Sequence, residues 1–179
     1  MSIVEVEETP AISGQKIKKY FGHNIEVLPQ GHVLQVLGVP VEGDLSSFIH
    51  PILPSGMSSV RNVAPGQWFI VGDDTLSAAA VDEFSQRLSP YANVIDQSHG
   101  RVRIAITGGN AAAVLAKGTG ADLGVLAFPV GCSTATLIGH IAAHLTRLGE
   151  DEFEIAVLRS FAEGMWDDLT DMSSEFGLF

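Results

Sequence analysis

The chain has 179 residues, a mean hydropathy of +0.26 and a formal net charge of −11. Hydrophobic residues make up 46% of it, which excludes a disordered chain and is enough for a buried core. The acidic balance disfavours nucleic-acid binding, because an acidic surface repels phosphate backbones.

Cysteine content and the apolar runs bear on the cellular compartment. Cys132 is the single cysteine, so no intrachain disulfide forms and a reducing compartment is favoured. The first ten residues lack the basic start and apolar run of a signal peptide. The longest apolar run, Leu137–Leu145, is too short and too polar to span a membrane. We therefore expect a cytoplasmic protein that does not bind membranes.

The N-terminal half predicts an extension followed by alternating strands and helices. Residues 1–24 are polar and charged and are expected to form a flexible extension, while residues 25–179 are expected to form a single α+β domain. Val33–Val39 and Gln67–Val71 are short apolar runs between turn residues, which predicts two strands. Asp44 is placed to cap a short helix between them.

The middle of the chain predicts two more helices and two more strands. Asp74 is expected to cap a helix whose apolar positions lie four residues apart. Ala92–Asp96 and Arg101–Thr107 follow as strands, the second with one buried face. Asn110 is expected to cap a helix over Ala111–Lys117.

The C-terminal third predicts a hairpin and a final helix. Thr134–Leu148 is expected to be one strand, because its Thr and Ile residues favour extended structure, although its alanines also favour a helix. Phe153–Leu158 would pair with it across a turn. Ser160 and Glu163 have the spacing of a capping box. Hairpin pairing predicts an α+β fold with mixed or antiparallel sheets and packed helices.

Two sets of residues have the composition of a site. Asp96, Ser98 and His99 supply an acid, a hydroxyl and an imidazole, but a hydrolase triad draws these groups from separate elements, so a polar turn is expected. His140 and His144 are four residues apart and share a face on either a helix or a strand. A metal site needs a third ligand, so a surface or subunit contact is favoured.

Three further features have ordinary structural explanations. Gly118, Gly120 and Gly124 follow a predicted helix, whereas a dinucleotide loop precedes one. Cys132 has no cationic neighbour in sequence to stabilise a thiolate. A solvated face of the last helix accounts for Asp167, Asp168, Asp171 and Glu175. The residues alone therefore predict no catalytic, cofactor-binding or metal-binding site.

A resemblance to a known family covers about two-thirds of the chain, from residue 65 to the C-terminus. The segments that carry it are Pro65–Val71, Val94–Arg101, Val114–Gly118, Asp122-Leu123, Phe128–Cys132, Thr136–Leu148, Arg159–Phe161, Trp166–Leu169 and Glu175–Gly177. In order and spacing they resemble the gamma subunit of heterotetrameric sarcosine oxidase.

That family is similar in turn to the aminomethyltransferase of the glycine cleavage system, which has a folate-binding fold. The aminomethyltransferase carries a Gly-x-x-Asp-Asp segment whose acid contributes to folate chemistry. The corresponding run here is Gly139–Ala143, with Ala142 and Ala143 in the two acidic positions. Alanine neither transfers a proton nor orients a pterin, so the resemblance implies a retained fold without the folate chemistry.

The resemblance implies an accessory subunit with no active site of its own. The complex would oxidatively demethylate sarcosine to glycine, with FAD, FMN, NAD and tetrahydrofolate on partner subunits and none on this chain. The implied partners are the larger flavin-bearing alpha and beta subunits and a small delta subunit. The alternatives are a stand-alone folate or one-carbon binding protein, a small subunit of an N-methyl amino acid dehydrogenase, and a small hydrolase using Ser98 and His99.

Overall fold

The structure, a computed structural model, describes residues 11–14, 16–39, 45–54, 56 and 58–177. Its strands are β1 (Ile17–Tyr20), β2 (His23–Val27), β3 (His32–Gly38), β4 (Ser59–Ala64), β5 (Gln67–Gly72), β6 (Ala92–Asp96), β7 (Arg101–Thr107), β8 (Ser133–Ile138), β9 (Ile141–Gly149) and β10 (Glu152–Leu158). Its α-helices are α1 (Ser46–Ile49), α2 (Ala78–Leu88), α3 (Ala111–Ala116) and α4 (Ala162–Ser173). Short 3-10 helices occupy His50–Ile52, Arg159–Phe161 and Ser174–Phe176.

The strands form two sheets. The first has the order β1-β2-β7-β10-β9-β8, and the second has the order β4-β5-β3-β6. Within the described part of the chain every strand pair is antiparallel. The predicted α+β class with antiparallel sheets and packed helices is therefore confirmed.

Each sheet buries one face under helices. In β7, Ile104 and Ile106 lie in the apolar core that also contains Leu115 of α3 and Leu169 of α4. In the second sheet, Leu34, Val36 and Ile70 share a separate core with Phe84 and Leu88 of α2. Because successive residues of a strand point to opposite faces, the alternate residues of both sheets face away from the helices.

Those second faces meet each other, and their contact is partly polar. An apolar cluster of Val33, Phe69 and Val71 occupies part of it. Beside this cluster Arg61 of β4 donates two hydrogen bonds to the carboxylate of Glu154 of β10, at 2.6 and 3.2 Å. The two side chains are only 6% and 2% exposed. The chain thus has four layers, in the order helices, sheet, sheet, helices.

The stretch predicted as one strand, Thr134–Leu148, is two strands joined by a tight turn. β8 and β9 pair with each other, with Ile138 opposite Ile141. Gly139 in the turn has φ +58, and a Cβ at this position would lie 2.6 Å from the Asp168 carboxylate of α4. The strand-favouring residues therefore lie in strands, but the prediction overlooked the glycine that reverses the chain.

Three of the predicted helix caps lack the expected side-chain hydrogen bond, although Asn110 does occupy the N-cap position of α3. Ser77, not Asp74, caps α2 by accepting a hydrogen bond from Ala80 N at 3.2 Å. Asn110 precedes α3, but its amide donates instead to the Phe21 carbonyl at 2.9 Å. The capping box is absent as well, because Ser160 lies within a 3-10 helix and makes no cap hydrogen bond at the start of α4. The predicted cap at Asp44 lies outside the described residues.

The expected flexible extension, residues 1–24, needs correction at its C-terminal end. Ile17–Tyr20 pairs with β2, and β2 pairs with β7, so this segment belongs to the first sheet. Its charged residues concealed the strand, because only Tyr20 of β1 is buried. Strand β4 was also not predicted.

We expect the buried Arg61–Glu154 pair to be strongly coupled. Replacing either residue alone, as Arg61→Met or Glu154→Leu, leaves a buried charge without its partner and should cost about 3–5 kcal/mol. The double replacement should cost much less than the sum of the two single costs. Urea denaturation of the four chains measures this coupling.

The control is Glu175→Gln, which removes an exposed ion pair with Lys117. Exposed pairs contribute about 0–1 kcal/mol, so this change should barely alter the free energy of unfolding. Single replacements at Arg61 and Glu154 that cost no more than the control would contradict the prediction.

Candidate functional site: a cationic cleft and an exposed apolar loop

The residues that resembled a hydrolase site form a polar turn, as predicted. The Ser98 amide and hydroxyl both donate to Asp96 Oδ1, at 2.9 and 2.5 Å, and the hydroxyl accepts from Val33 N. His99 Nδ1 lies 2.7 Å from the Gln30 amide nitrogen. The Ser98 proton is therefore bound to Asp96 and not to His99, so no serine–histidine pair is assembled.

His140 and His144 do not share a face and lie in different parts of the hairpin. His140 is exposed in the β8–β9 turn, whereas His144 is 3% exposed between the sheets. His144 Nε2 donates to the Asn62 carbonyl at 2.9 Å, and its ring meets Phe69 edge to face. Burial lowers the pKa of His144, the Asn62 carbonyl opposes that shift, and the charge of Arg61 adds to it. No group of three possible metal ligands occurs in the described part of the chain.

The glycine segment does not form a dinucleotide site. Gly118 and Gly120 follow α3, so no helix N-terminus stands behind them to bind a pyrophosphate. Cys132 is partly buried against the core of the first sheet. Asp167 and Asp171 of α4 are exposed, as expected of a solvated face.

Ala142 and Ala143, which the resemblance implies stand at two acidic positions, lie in environments unlike each other. Ala143 is 6% exposed and packs in the apolar core beneath the helices, whereas Ala142 is exposed on β9. A carboxylate at position 143 would be buried among apolar side chains, which strongly disfavours its charged form. These residues do not fit the role of a folate-binding acid.

A cluster of charged groups lies between the sheets. Arg103 of β7 pairs with Asp73 and donates to the Gly72 carbonyl, and its Nε is 3.9 Å from Glu154 Oε1. Arg101, two residues earlier, lies on the Phe69 ring at 4.7 Å, and its Nε donates to Gln97 at 2.9 Å. Burial lowers the pKa of Arg101.

This cluster opens at one end into a cleft of about 330 Å³. Its basic lining residues are Lys16, Arg101, Arg103 and Arg159. Apolar walls come from Ile12, Val27, Leu28, Val33 and Val102. Sequence reasoning missed the cleft because its cations come from three separate places in the chain: Lys16, strand β7 and Arg159. The available signal was the alternation of Arg101 and Arg103 on the face of a strand opposite its apolar residues.

A second feature is the α3–β8 loop, residues 117–132. Val125 and Val130 are each 57% exposed, and Leu126 is 100% exposed. Long connections without regular structure are uncommon in compact domains and are usually functional. Such a concentration of exposed apolar side chains is typical of a surface that contacts another protein.

The loop is held firmly in this position. Phe128 and Leu123 are buried in the core of the first sheet and anchor it from below. Arg147 of β9 donates to the carbonyls of Leu123 and Phe128 at 3.1 and 2.9 Å. A turn closed by the Gly124 carbonyl, which accepts from Phe128 N at 2.8 Å, lifts Leu126 into solvent.

Comparison with known proteins decides the family. The model of the sarcosine oxidase, gamma subunit family matches residues 31–175. The chain belongs to this family. Comparison of this gamma-family chain with curated protein sequences gives no match. No described helix of it is long and apolar enough to cross a membrane.

Solved structures share the fold of this gamma-family chain. A chain of the heterotetrameric sarcosine oxidase from Corynebacterium sp. U-96 matches with a TM-score of 0.74 and 22% identity, over 94% of this chain and 90% of that one. The glycine cleavage system aminomethyltransferase T from Bartonella henselae matches with a TM-score of 0.61 and 21% identity, over 85% of this chain. This chain spans 46% of that aminomethyltransferase.

We expect His144 to make folding sensitive to acid. Its pKa is lowered in the folded chain, so the unfolded chain binds the additional proton, and stability falls as the pH drops below about 6.5. His144→Gln retains a hydrogen-bond donor but does not titrate. Between pH 7 and 5 the unfolding free energy of this variant should decline less steeply than that of the unaltered chain.

The matched control is His140→Gln, which removes an exposed histidine from the same hairpin. Its free energy of unfolding should follow that of the unaltered chain at every pH. Denaturant titrations at each pH give the free energy of unfolding. The role given to His144 is wrong if this free energy declines equally with pH in all three chains.

Proposed function

We propose that this chain is the gamma subunit of a sarcosine oxidase complex and binds a larger subunit through its α3–β8 loop. The observation that carries this proposal is the fully exposed Leu126, on a loop held by Arg147 and Phe128, in a member of the gamma family. Interface residues that dominate binding energy are pre-organised apolar anchors that enter a pocket on the partner. Arg147 and Phe128 provide that pre-organisation, so little conformational entropy is lost when the loop binds.

The proposed docking surface lies on the α3–β8 loop and not on the C-terminal helix. The C-terminal helix has an apolar stripe that is itself a possible interface. In the structure Met165, Trp166 and Leu169 of α4 are buried against the first sheet. The helix is therefore part of the core, and the apolar surface that remains exposed lies on the loop.

We infer that the chemistry of the complex belongs to its other subunits. These would be alpha and beta subunits that carry the flavins, NAD and tetrahydrofolate, with a small delta subunit. They would demethylate sarcosine to glycine in the cytoplasm. The environment of Ala143 and the absence of a serine–histidine pair at Ser98 support an accessory role for this chain.

The test is Leu126→Asp in the chain co-expressed with its larger subunits. A carboxylate cannot enter an apolar pocket without losing its hydration, so affinity for the partner should fall by about 30-fold or more. Gel filtration and pull-down of the complex measure the loss. Because Leu126 is 100% exposed, the melting temperature of the isolated chain should not change.

Phe21→Asp serves as the matched control. Phe21 is also apolar and is 69% exposed, but it lies in the β1–β2 turn. This variant should assemble like the unaltered chain. Normal assembly of the Leu126→Asp variant would refute the loop as the docking surface.

A further inference from the structure

The cationic cleft brings positively charged side chains together, although the chain as a whole is acidic. Four of the ten lysines and arginines line it, and none of its described lining residues is an Asp or a Glu. The chain has 21 acidic residues in total. A concave, low-dielectric wall concentrates the field of its charges, so this cleft is the part of the described surface best suited to an anion.

The individual cations have different roles. Arg103 is occupied by Asp73 and the Gly72 carbonyl, so it contributes charge but few free donors. Arg101 uses its Nε on Gln97, and no carboxylate among the described residues pairs with it. The Phe69 ring holds this guanidinium in place, and the pKa of Arg101 is lowered by burial. A half-buried arginine without an acid gains from an anion that restores the lost solvation.

The residues that line the cleft also indicate the chemical class and the size of the anion. An arginine fork matches the two oxygens of a carboxylate. Val27, Leu28 and Pro29 provide accessible apolar wall beside it, which an inorganic anion would not use. A volume of about 330 Å³ corresponds to about eleven water molecules, and hence to an organic ligand of similar heavy-atom count.

We propose that this cleft binds a small organic carboxylate, with Arg101 receiving the carboxylate, Lys16 attracting it at the rim and the apolar wall contacting its body. No reaction on the ligand is implied. The assignment is independent of the partner-binding role proposed above, because every group in it belongs to this chain.

Benzoate and benzamide are suitable probes because they have the same size and shape and differ in charge. Titration of the full chain, followed by backbone amide chemical shifts, should show benzoate binding with a dissociation constant of about 1–10 mM. The shifted amides should be those of Gly31, Ser98 and Val102, which line the cleft. Benzamide and inorganic phosphate should bind at least about tenfold more weakly, since each lacks one of the two recognised features.

Variants identify the groups responsible. Arg101→Gln should weaken benzoate binding by about tenfold or more, and Lys16→Gln, at an exposed position that does not endanger folding, by a few-fold. Arg87→Gln removes an exposed arginine on α2 and should change nothing. Equal shifts with benzamide, or no shift near the cleft with benzoate, would overturn the proposal whether or not the Arg101 variant folds.

A further experiment distinguishes a free ligand from a carboxylate side chain of a partner subunit. Benzoate binding should persist when the chain is assembled with its larger subunits. Its loss on assembly would overturn the assignment to a free ligand and give the cleft to an acidic residue of the partner. Both results are independent of the Leu126→Asp test, which measures assembly itself.

Discussion

The buried ion pair of Arg61 and Glu154 is the interaction on which the arrangement of the two sheets depends. Each sheet already has an apolar face under helices, and the opposite faces meet through a small apolar cluster and polar contacts such as that of His144 with the Asn62 carbonyl. Two desolvated charges tolerate no displacement that breaks their paired hydrogen bonds, whereas apolar contacts tolerate small shifts. We therefore expect the pair to contribute more to the alignment of the sheets than to their stability.

That alignment also accounts for the excess of positive charge at one end of the interface. Glu154 pairs with Arg61, and its Oε1 lies 3.9 Å from Arg103 Nε. Arg103 also pairs with Asp73. Both acids are therefore paired, and among the described residues the side chain of Arg101, on the same strand, contacts Gln97 and the Phe69 ring but no acid. The cleft is thus a place where the described lining residues include cations but no acids, and the positive field there follows from the packing.

Strand positions were predictable because alternation survives in the sequence wherever one face is apolar, as in Arg101–Thr107. Features that depend on contacts distant in sequence were not. The glycine that permits the turn within Thr134–Leu148 was overlooked, and its close contact with Asp168 of α4 could not be read from the residues around it. The cleft was hidden for the same reason, since Lys16 and Arg101 are adjacent only in the folded chain. The family and the absence of a local catalytic motif, by contrast, are properties of short segments.

The net charge of the chain affects both proposed surfaces, the α3–β8 loop and the cationic cleft. An isolated chain that exposes Leu126 fully, beside two half-exposed valines, risks self-association. A net charge of −11 opposes this, because like-charged molecules repel each other before apolar loops meet. The same acidity opposes the approach of anions, so the ligand proposed for the cleft would gain from the local charges of Arg101 and Lys16 alone. The negative charge of the chain, uninformative about fold, thereby protects the exposed loop from self-association and leaves anion binding to the local charges of the cleft.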